Sequence, residues 1–217
     1  GSGGDYSTLS AAITAATTGD RIQVLAGTIT EAAVVTVGKS LEIFGTGPEC
    51  IVQRDSITAV LSISAGVNNV YIHNLSILNN QLASGDGGGQ SSCITASTMQ
   101  EAYPDGSTNI HIASCTFTYP RIGVSLDASG WVVKNCIFNP NSPTPGATIR
   151  ALFGYGSTGN SFAVGNIFNN PTEATRLIAI GLNAAGPRGA SFVTGYKGNL
   201  TLADNVISSA GGNPRAY

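Results

Sequence analysis

Charge is scarce in this chain. Asp, Glu, Lys and Arg together make up 10% of its residues, against roughly 25% in ordinary globular domains. The formal net charge is −2, so the basic footprint that phosphate contacts require is missing, which excludes nucleic acid as a partner. Long apolar runs are missing too: none approaches the roughly 20 residues needed to span a bilayer. Four cysteines, Cys50, Cys93, Cys115 and Cys136, show no CxxC or metal-finger spacing. No metal or other cofactor is therefore expected. The chain opens on Gly1-Ser2 rather than Met, without a basic segment leading into an apolar one. It reads as a processed, tagged or excised chain, and its Asn/Ser/Thr richness with few Lys suits an extracellular or virion location.

Glycine, Ser, Thr, Asn and Ala fill the gap left by charge, and 42% of the residues are hydrophobic. Residues 7–18 read as one short amphipathic helix. Ser7 is the candidate N-cap, Leu9, Ala12, Ile13 and Ala16 share a face, and Gly19 is the stop. The period then changes from 3.6 to 2. Arg21–Leu25, Ala33–Val37, Leu41–Phe44 and Val60–Ile63 alternate, and Gly27, Gly38, Gly45, Gly47-Pro48 and Gly66 punctuate them.

An internal repeat decides the architecture. Segments starting at Val70, Ile110, Trp131, Ser161 and Leu200 lie over one another for eight residues without gaps. Their third column reads Ile72, Ile112, Val133, Ala163, Leu202, and their last Ile77, Phe117, Phe138, Phe168, Ile207. The fifth column, Asn74, Ser114, Asn135, Gly165, Asp204, holds residues that tolerate a left-handed bend. The sixth holds Leu75, Cys115, Cys136, Asn166, Asn205. Like residues recur in columns when strands stack at about 4.8 Å. The expectation is all-β: a single right-handed parallel β-helix over residues 1–217, with a capping helix at 7–18, coils over 21–209 and a tail at 210–217. The repeats start 40, 21, 30 and 39 residues apart, so the longer intervals hold loops or an extra coil. Cys115 and Cys136 fall in one column, either as small buried apolar side chains or as members of a disulfide.

The N-terminal stretch, Gly4-Asp-Tyr-Ser-Thr-Leu-Ser-Ala-Ala-Ile13, then Gly19-Asp-Arg-Ile-Gln-Val-Leu-Ala-Gly-Thr-Ile-Thr-Glu31 and Lys39-Ser-Leu-Glu-Ile-Phe-Gly-Thr-Gly47, resembles the opening of pectin methylesterases and other pectin-lyase-like β-helices. The resemblance covers about the first 50 residues and implies a helix capping the open end of the coil. It does not extend to the catalytic motifs. The methylesterase Asp-containing segments and Arg-x-Trp, the polygalacturonase motifs and the pectate-lyase Arg motif with its calcium-binding Asp cluster have no counterpart here. A shared scaffold does not transmit an activity.

Polysaccharide chemistry requires paired carboxylates, or an Arg or Lys base beside a charge-neutralising group. Asp5, Asp20, Glu31 and Asp204 stand in turn or cap contexts. The strands after each repeat are more informative. With Ile122, Val124, Leu126, Ile149, Ala151, Leu177 and Ala179 inward, the outward set holds Arg121, Ser125, Asp127, Arg150 and Arg176; a one-residue slip reverses the assignment. Arg121, Asp127, Arg150 and Arg176 are the candidate glycan-binding residues, and Arg121, Asp127 and Arg150 the catalytic candidates. The same register turns Leu152, Ile178, Ile180 and Leu182 outward, an apolar run to be covered by another copy or another surface protein. His73 and His111 lie on repeat strands with no second ligand at metal spacing and read as structural. Tyr103, Tyr119, Tyr155 and Tyr196 fall in or beside loops, as loop anchors or sugar-stacking rings. The expected function is a non-catalytic structural or surface-recognition protein, of a virion or a cell surface. The alternatives are a polysaccharide lyase or hydrolase and a glycan-binding module.

Overall fold

The computed structural model describes residues 4–80, 91–96, 107–120, 122–126, 130–141, 149–154, 160–169, 175–180 and 200–208; strands 149–154 and 175–180 are described by their backbone alone. After helix α1 (Leu9–Ala15), the strands come in threes, one triplet per coil. Coil 1 holds β1 (Arg21–Gln23), β2 (Gly27–Thr30) and β3 (Val35–Val37); coil 2 holds β4 (Glu42–Phe44), β5 (Cys50–Gln53) and β6 (Ala59–Ile63). Coil 3 holds β7 (Val70–His73), β8 (Ser76–Leu78) and β9 (Ser92–Ala96); coil 4 holds β10 (Ile110–Ala113), β11 (Thr116–Tyr119) and β12 (Ile122–Leu126). Coil 5 holds β13 (Val132–Lys134), β14 (Ile137–Pro140) and β15 (Ile149–Gly154). Coil 6 holds β16 (Ser161–Val164), β17 (Ile167–Asn169) and β18 (Thr175–Ile180), and coil 7 holds β19 (Leu200–Ala203) and β20 (Val206–Ser208).

Every third strand pairs, always in parallel. Sheet A runs β1-β4-β7-β10-β13-β16-β19, sheet B runs β2-β5-β8-β11-β14-β17-β20, and sheet C runs β3-β6-β9-β12-β15-β18. This is the right-handed parallel β-helix that the repeat pattern predicts. The five repeats are coils 3 to 7, and two more coils precede them. β7 pairs directly with β10 and β16 with β19, so no extra coil stands between them.

The interior is stacked columns. Ile43, Ile72, Ile112, Val133 and Ala163 succeed one another on sheet A with no exposed surface. On sheet B, Phe117, Phe138 and Phe168 stack at 5.1 and 4.9 Å between ring centres. Tyr119, expected in a loop, is on β11 and 1% exposed, its ring edge-on to Phe138 at 6.3 Å. Its hydroxyl pKa is pushed up by burial.

The bend between sheets A and B is built as the fifth column predicts. Asn74, Ser114, Asn135, Gly165 and Asp204 all have φ between 53 and 66°, where a Cβ is tolerated only in residues that compensate locally. In coil 2 Gly45 takes this position for lack of room, since a Cβ there would run into the Asn74 carbonyl and the Cys50 side chain. A second set of positive-φ residues precedes sheet A, Asn69, Asn109 and Gly130. The sequence carries this signal too, since the residues directly before the five repeats are Asn69, Asn109, Gly130, Asn160 and Asn199; an alignment begun at the strands leaves that column out.

The sixth column changes chemistry along the solenoid. The Cys115 thiol donates to the carbonyls of Ala113 (3.3 Å) and Ile72 (3.6 Å), and Cys136 to Lys134 (3.3 Å) and Ile112 (3.8 Å). All four cysteines are free and buried, which decides for the small-apolar reading over the disulfide. Next come two asparagine rungs. Asn166 Oδ1 accepts from Cys136 N at 3.0 Å and its Nδ2 donates to Val133 O at 3.1 Å; Asn205 repeats this toward Asn166 N and Ala163 O.

Helix α1 closes the N-terminal end. It spans Leu9–Ala15, shorter than expected, and its N-cap is Thr8 rather than Ser7, because the Thr8 hydroxyl accepts from Ala11 N at 3.2 Å. Leu9 and Ile13 are its buried residues. The Glu31 carboxylate accepts from Leu9 N (2.6 Å), Ser10 N (3.3 Å) and the Ser10 hydroxyl (2.6 Å). At the other end Lys39 Nζ donates to the carbonyls of Ile13 and Thr14. An anion at the N-terminus and a cation at the C-terminus both oppose the helix dipole.

Candidate functional site

The residues expected to form a glycan face belong to sheet C, whose register differs from the expected one by one residue. Ile122 pairs with Arg150 and Arg150 with Arg176, so both arginines stand in the column of Ala59, Ser92 and Ile122, all buried. Leu152 and Ile178 share the column of Val124, and Ile180 that of Leu126; Val124 and Leu126 have no exposed surface. The side chains of Arg150, Leu152, Arg176, Ile178 and Ile180 lie outside the described residues. The one-residue offset has its reason on β12, where all five residues, Ser125 included, are buried; with no polar face to read, alternation cannot set the register. Arg121, Asp127 and Leu182 lie outside the described residues, as do Tyr103, Tyr155 and Tyr196.

Chemistry gathers instead on the outer face of sheet A. In register, Arg21, Glu42, Tyr71 and His111 form one outward column, and Gln23, Phe44, His73 and Ala113 the next. Sheet A turns these side chains outward because the residue between them, Ile22, Ile43, Ile72 or Ile112, points into the core. Arg21 grips Glu42 with two bonds, Nε to Oε2 at 2.7 Å and NH2 to Oε1 at 2.9 Å. His73 Nε2 lies 2.9 Å from Glu42 Oε1, and its Nδ1 3.2 Å from Asn74 Nδ2. With Asn74 Nδ2 donating, Nδ1 is the acceptor and the proton sits on Nε2, directed at Glu42.

This network holds the Glu42 carboxyl below the ordinary range, first through the Arg21 hydrogen bonds and then through His73. The Arg21 guanidinium is raised by the same bonds and lies 4.8 Å over the Phe44 ring. Phe44 stacks on His73 at 5.6 Å, and Tyr71 leans on His111 at 5.0 Å. Asn109 Nδ2 donates to the Tyr71 hydroxyl at 3.1 Å. Burial, and then Lys134 nearby, lower the His111 pKa. Both histidines, read as structural from sequence, stand half-exposed on the outer face and belong to this strip. At its N-terminal end the strip runs into a groove of about 570 Å³ between α1 and coil 1, whose lining shares Arg21 and Gln23 and adds Tyr6, Asp20 and Leu25.

Sequence reasoning missed the strip because its charged members are 21 and 31 residues apart. The signal was there: Arg21-Ile-Gln and Glu42-Ile-Phe align with Tyr71-Ile-His once the repeat is extended two coils upstream.

A hydrolytic centre built on two carboxylates has no second member on this strip, and Glu42 is tied down on both sides. Among the described residues no group of three or more His, Cys, Asp and Glu is placed to hold a metal ion, and no helix is long and apolar enough to cross a membrane. No protein-family profile matches the sequence and no curated protein is similar to it. Two solved structures are similar in fold, both of Aspergillus niger pectin methylesterase, one deglycosylated and one retaining an N-acetylglucosamine stub. Each is 14% identical with a TM-score of 0.40, covering 100% of this chain and 87% of the enzyme.

Proposed function

We propose that this β-helix is a non-catalytic recognition protein that binds an extended polyhydroxylated ligand, a glycan chain, along the outer face of coils 1 to 4. The observation that carries the reading is the aromatic and hydrogen-bonding strip of Arg21, Glu42, Phe44, Tyr71, His73 and His111. At a strand spacing of about 4.8 Å, β1 to β10 spans roughly 14 Å, room for a short stretch of a linear ligand. The exposed Tyr71 ring suits the apolar face of a sugar ring, and the Arg21–Glu42–His73 network, held in place by Phe44 between Arg21 and His73, offers donors and an acceptor already oriented. Pre-organisation lowers the cost of binding.

The test is a panel of neutral and acidic polysaccharides, followed by affinity electrophoresis and by assays for new reducing ends and unsaturated products. The expected result is binding without turnover, weakened roughly 2- to 10-fold by Tyr71→Ala or Phe44→Ala, as for loss of an aromatic contact. Turnover abolished by Asp127→Asn or Arg150→Ala would refute it in favour of a lyase or hydrolase centred on sheet C. Binding untouched by changes on the strip would move the site elsewhere.

A further inference from the structure

The outward columns of sheets A and B change character halfway along the solenoid. In coils 1 to 4 they hold Arg21, Glu42, Tyr71 and His111 on sheet A and Thr28, Ile51, Ser76 and Thr116 on sheet B. In coils 5 to 7 the same columns hold Val132, Phe162 and Thr201, and Ile137, Ile167 and Val206. Phe162 and Ile167 are each 37% exposed and Val206 is 55% exposed. The bends at Asn135, Gly165 and Asp204 bring the two faces together at one corner; the middle bend carries no side chain of its own, and the Asn135 carboxamide lies against it. Exposed apolar columns on both sides of a bend mark a contact site.

Two charges stand on this corner, Lys134 on coil 5 and Asp204 on coil 7, both exposed and neither in a salt bridge among the described residues. They lie two rungs apart, about 9.6 Å along the axis. We propose that the corner is the interface with a second copy of this chain, related by a two-fold axis through the Gly165 bend and with the solenoids antiparallel. Such an axis reverses the order of coils, so Lys134 of each copy faces Asp204 of the other while Phe162, Ile167 and their neighbours close over one another. A parallel arrangement would set Lys134 against Lys134 and Asp204 against Asp204, which like-charge repulsion disfavours. The arrangement leaves the strip on coils 1 to 4 free and does not depend on what that strip binds.

Sedimentation velocity across a wide concentration range tests it, with zero-length carbodiimide cross-linking read by mass spectrometry. The expected result is a monomer–dimer equilibrium and a cross-linked Lys134–Asp204 peptide in the dimer fraction alone. Lys134→Glu should weaken association about tenfold or more. Adding Asp204→Asn to that variant, a residue that accepts positive φ, should restore much of the association, and Ile167→Lys should give monomer throughout with an unchanged far-UV spectrum. A wild-type monomer at every concentration overturns the proposal. So does a dimer indifferent to Lys134→Glu and Ile167→Lys, or one cross-linked through other residues.

Discussion

Replacing Asn166 with leucine separates the shape of the asparagine ladder from its hydrogen bonds. The site holds a leucine elsewhere on the same column, since Leu75 is 1% exposed three coils earlier. Steric conflict is therefore small. Burying the new side chain contributes about 2 kcal/mol. Against that, Cys136 N loses its 3.0 Å acceptor in an interior closed to water, and a buried donor left without a partner costs about 1–3 kcal/mol. Val133 O loses its 3.1 Å bond from the carboxamide but keeps its place in the parallel ladder with β16, and the Asn205 carboxamide loses one contact, at 3.0 Å, but keeps its bond from Asn166 N; these two losses cost about 0.5 kcal/mol each. The balance is a destabilisation of about 1 kcal/mol, a fall of roughly 2–4 °C in melting temperature for a chain of this size. Trp131, the single tryptophan and fully buried, reports unfolding by fluorescence, and far-UV circular dichroism in urea gives the parallel measure. An unchanged or raised midpoint for Asn166→Leu would refute the reasoning, and the column would then be filled for shape alone.

Asn74 sits at φ 56°, so in urea unfolding Asn74→Ala should lower the stability by about 1 kcal/mol and Asn74→Gly by only about a few tenths. Glu42→Gln should cost less than about 1 kcal/mol at neutral pH, because the Arg21 pair is largely exposed. Since the folded Glu42 pKa lies below its ordinary 4.5, that contribution is complete above the unfolded value. It disappears as pH falls through the folded one, so wild-type and variant stabilities should converge in acid. Glu31→Ala removes the three bonds that hold the start of α1; it should cost about 2 kcal/mol and speed proteolysis near residues 4–18, read by limited digestion.

What was legible in the sequence was what stacking imposes. Ile72 over Ile112 over Val133, and Phe117 over Phe138 over Phe168, had to recur because each coil rests on the last, and the bend residues had to accept a left-handed backbone. The capping helix carried its own amphipathic face. Sheet C was not legible in the same way. Ile122, Arg150 and Arg176 stand at unequal distances in the sequence from the repeat strands before them, so nothing local counts their register, and β12 is buried on both sides. The strip escaped for a different reason. Arg21, Glu42 and His73 meet only through pairing of successive coils, and their chemistry becomes a cluster only when the first two coils are aligned with the later repeats.

Glu31 and Lys39 tie α1 to the first coil, and behind it the sheet A column from Ile43 to Ala163 is wholly buried. Since each coil touches only its neighbours, the molecule behaves as a one-dimensional stack with the helix as a lid on its first member. Opening of coil 1 is then gated by that lid and not by the coils several rungs beyond it. Amide hydrogens of β1 to β3 should exchange faster once the Glu31 carboxylate is removed, while those of β10 and β13 keep their rates.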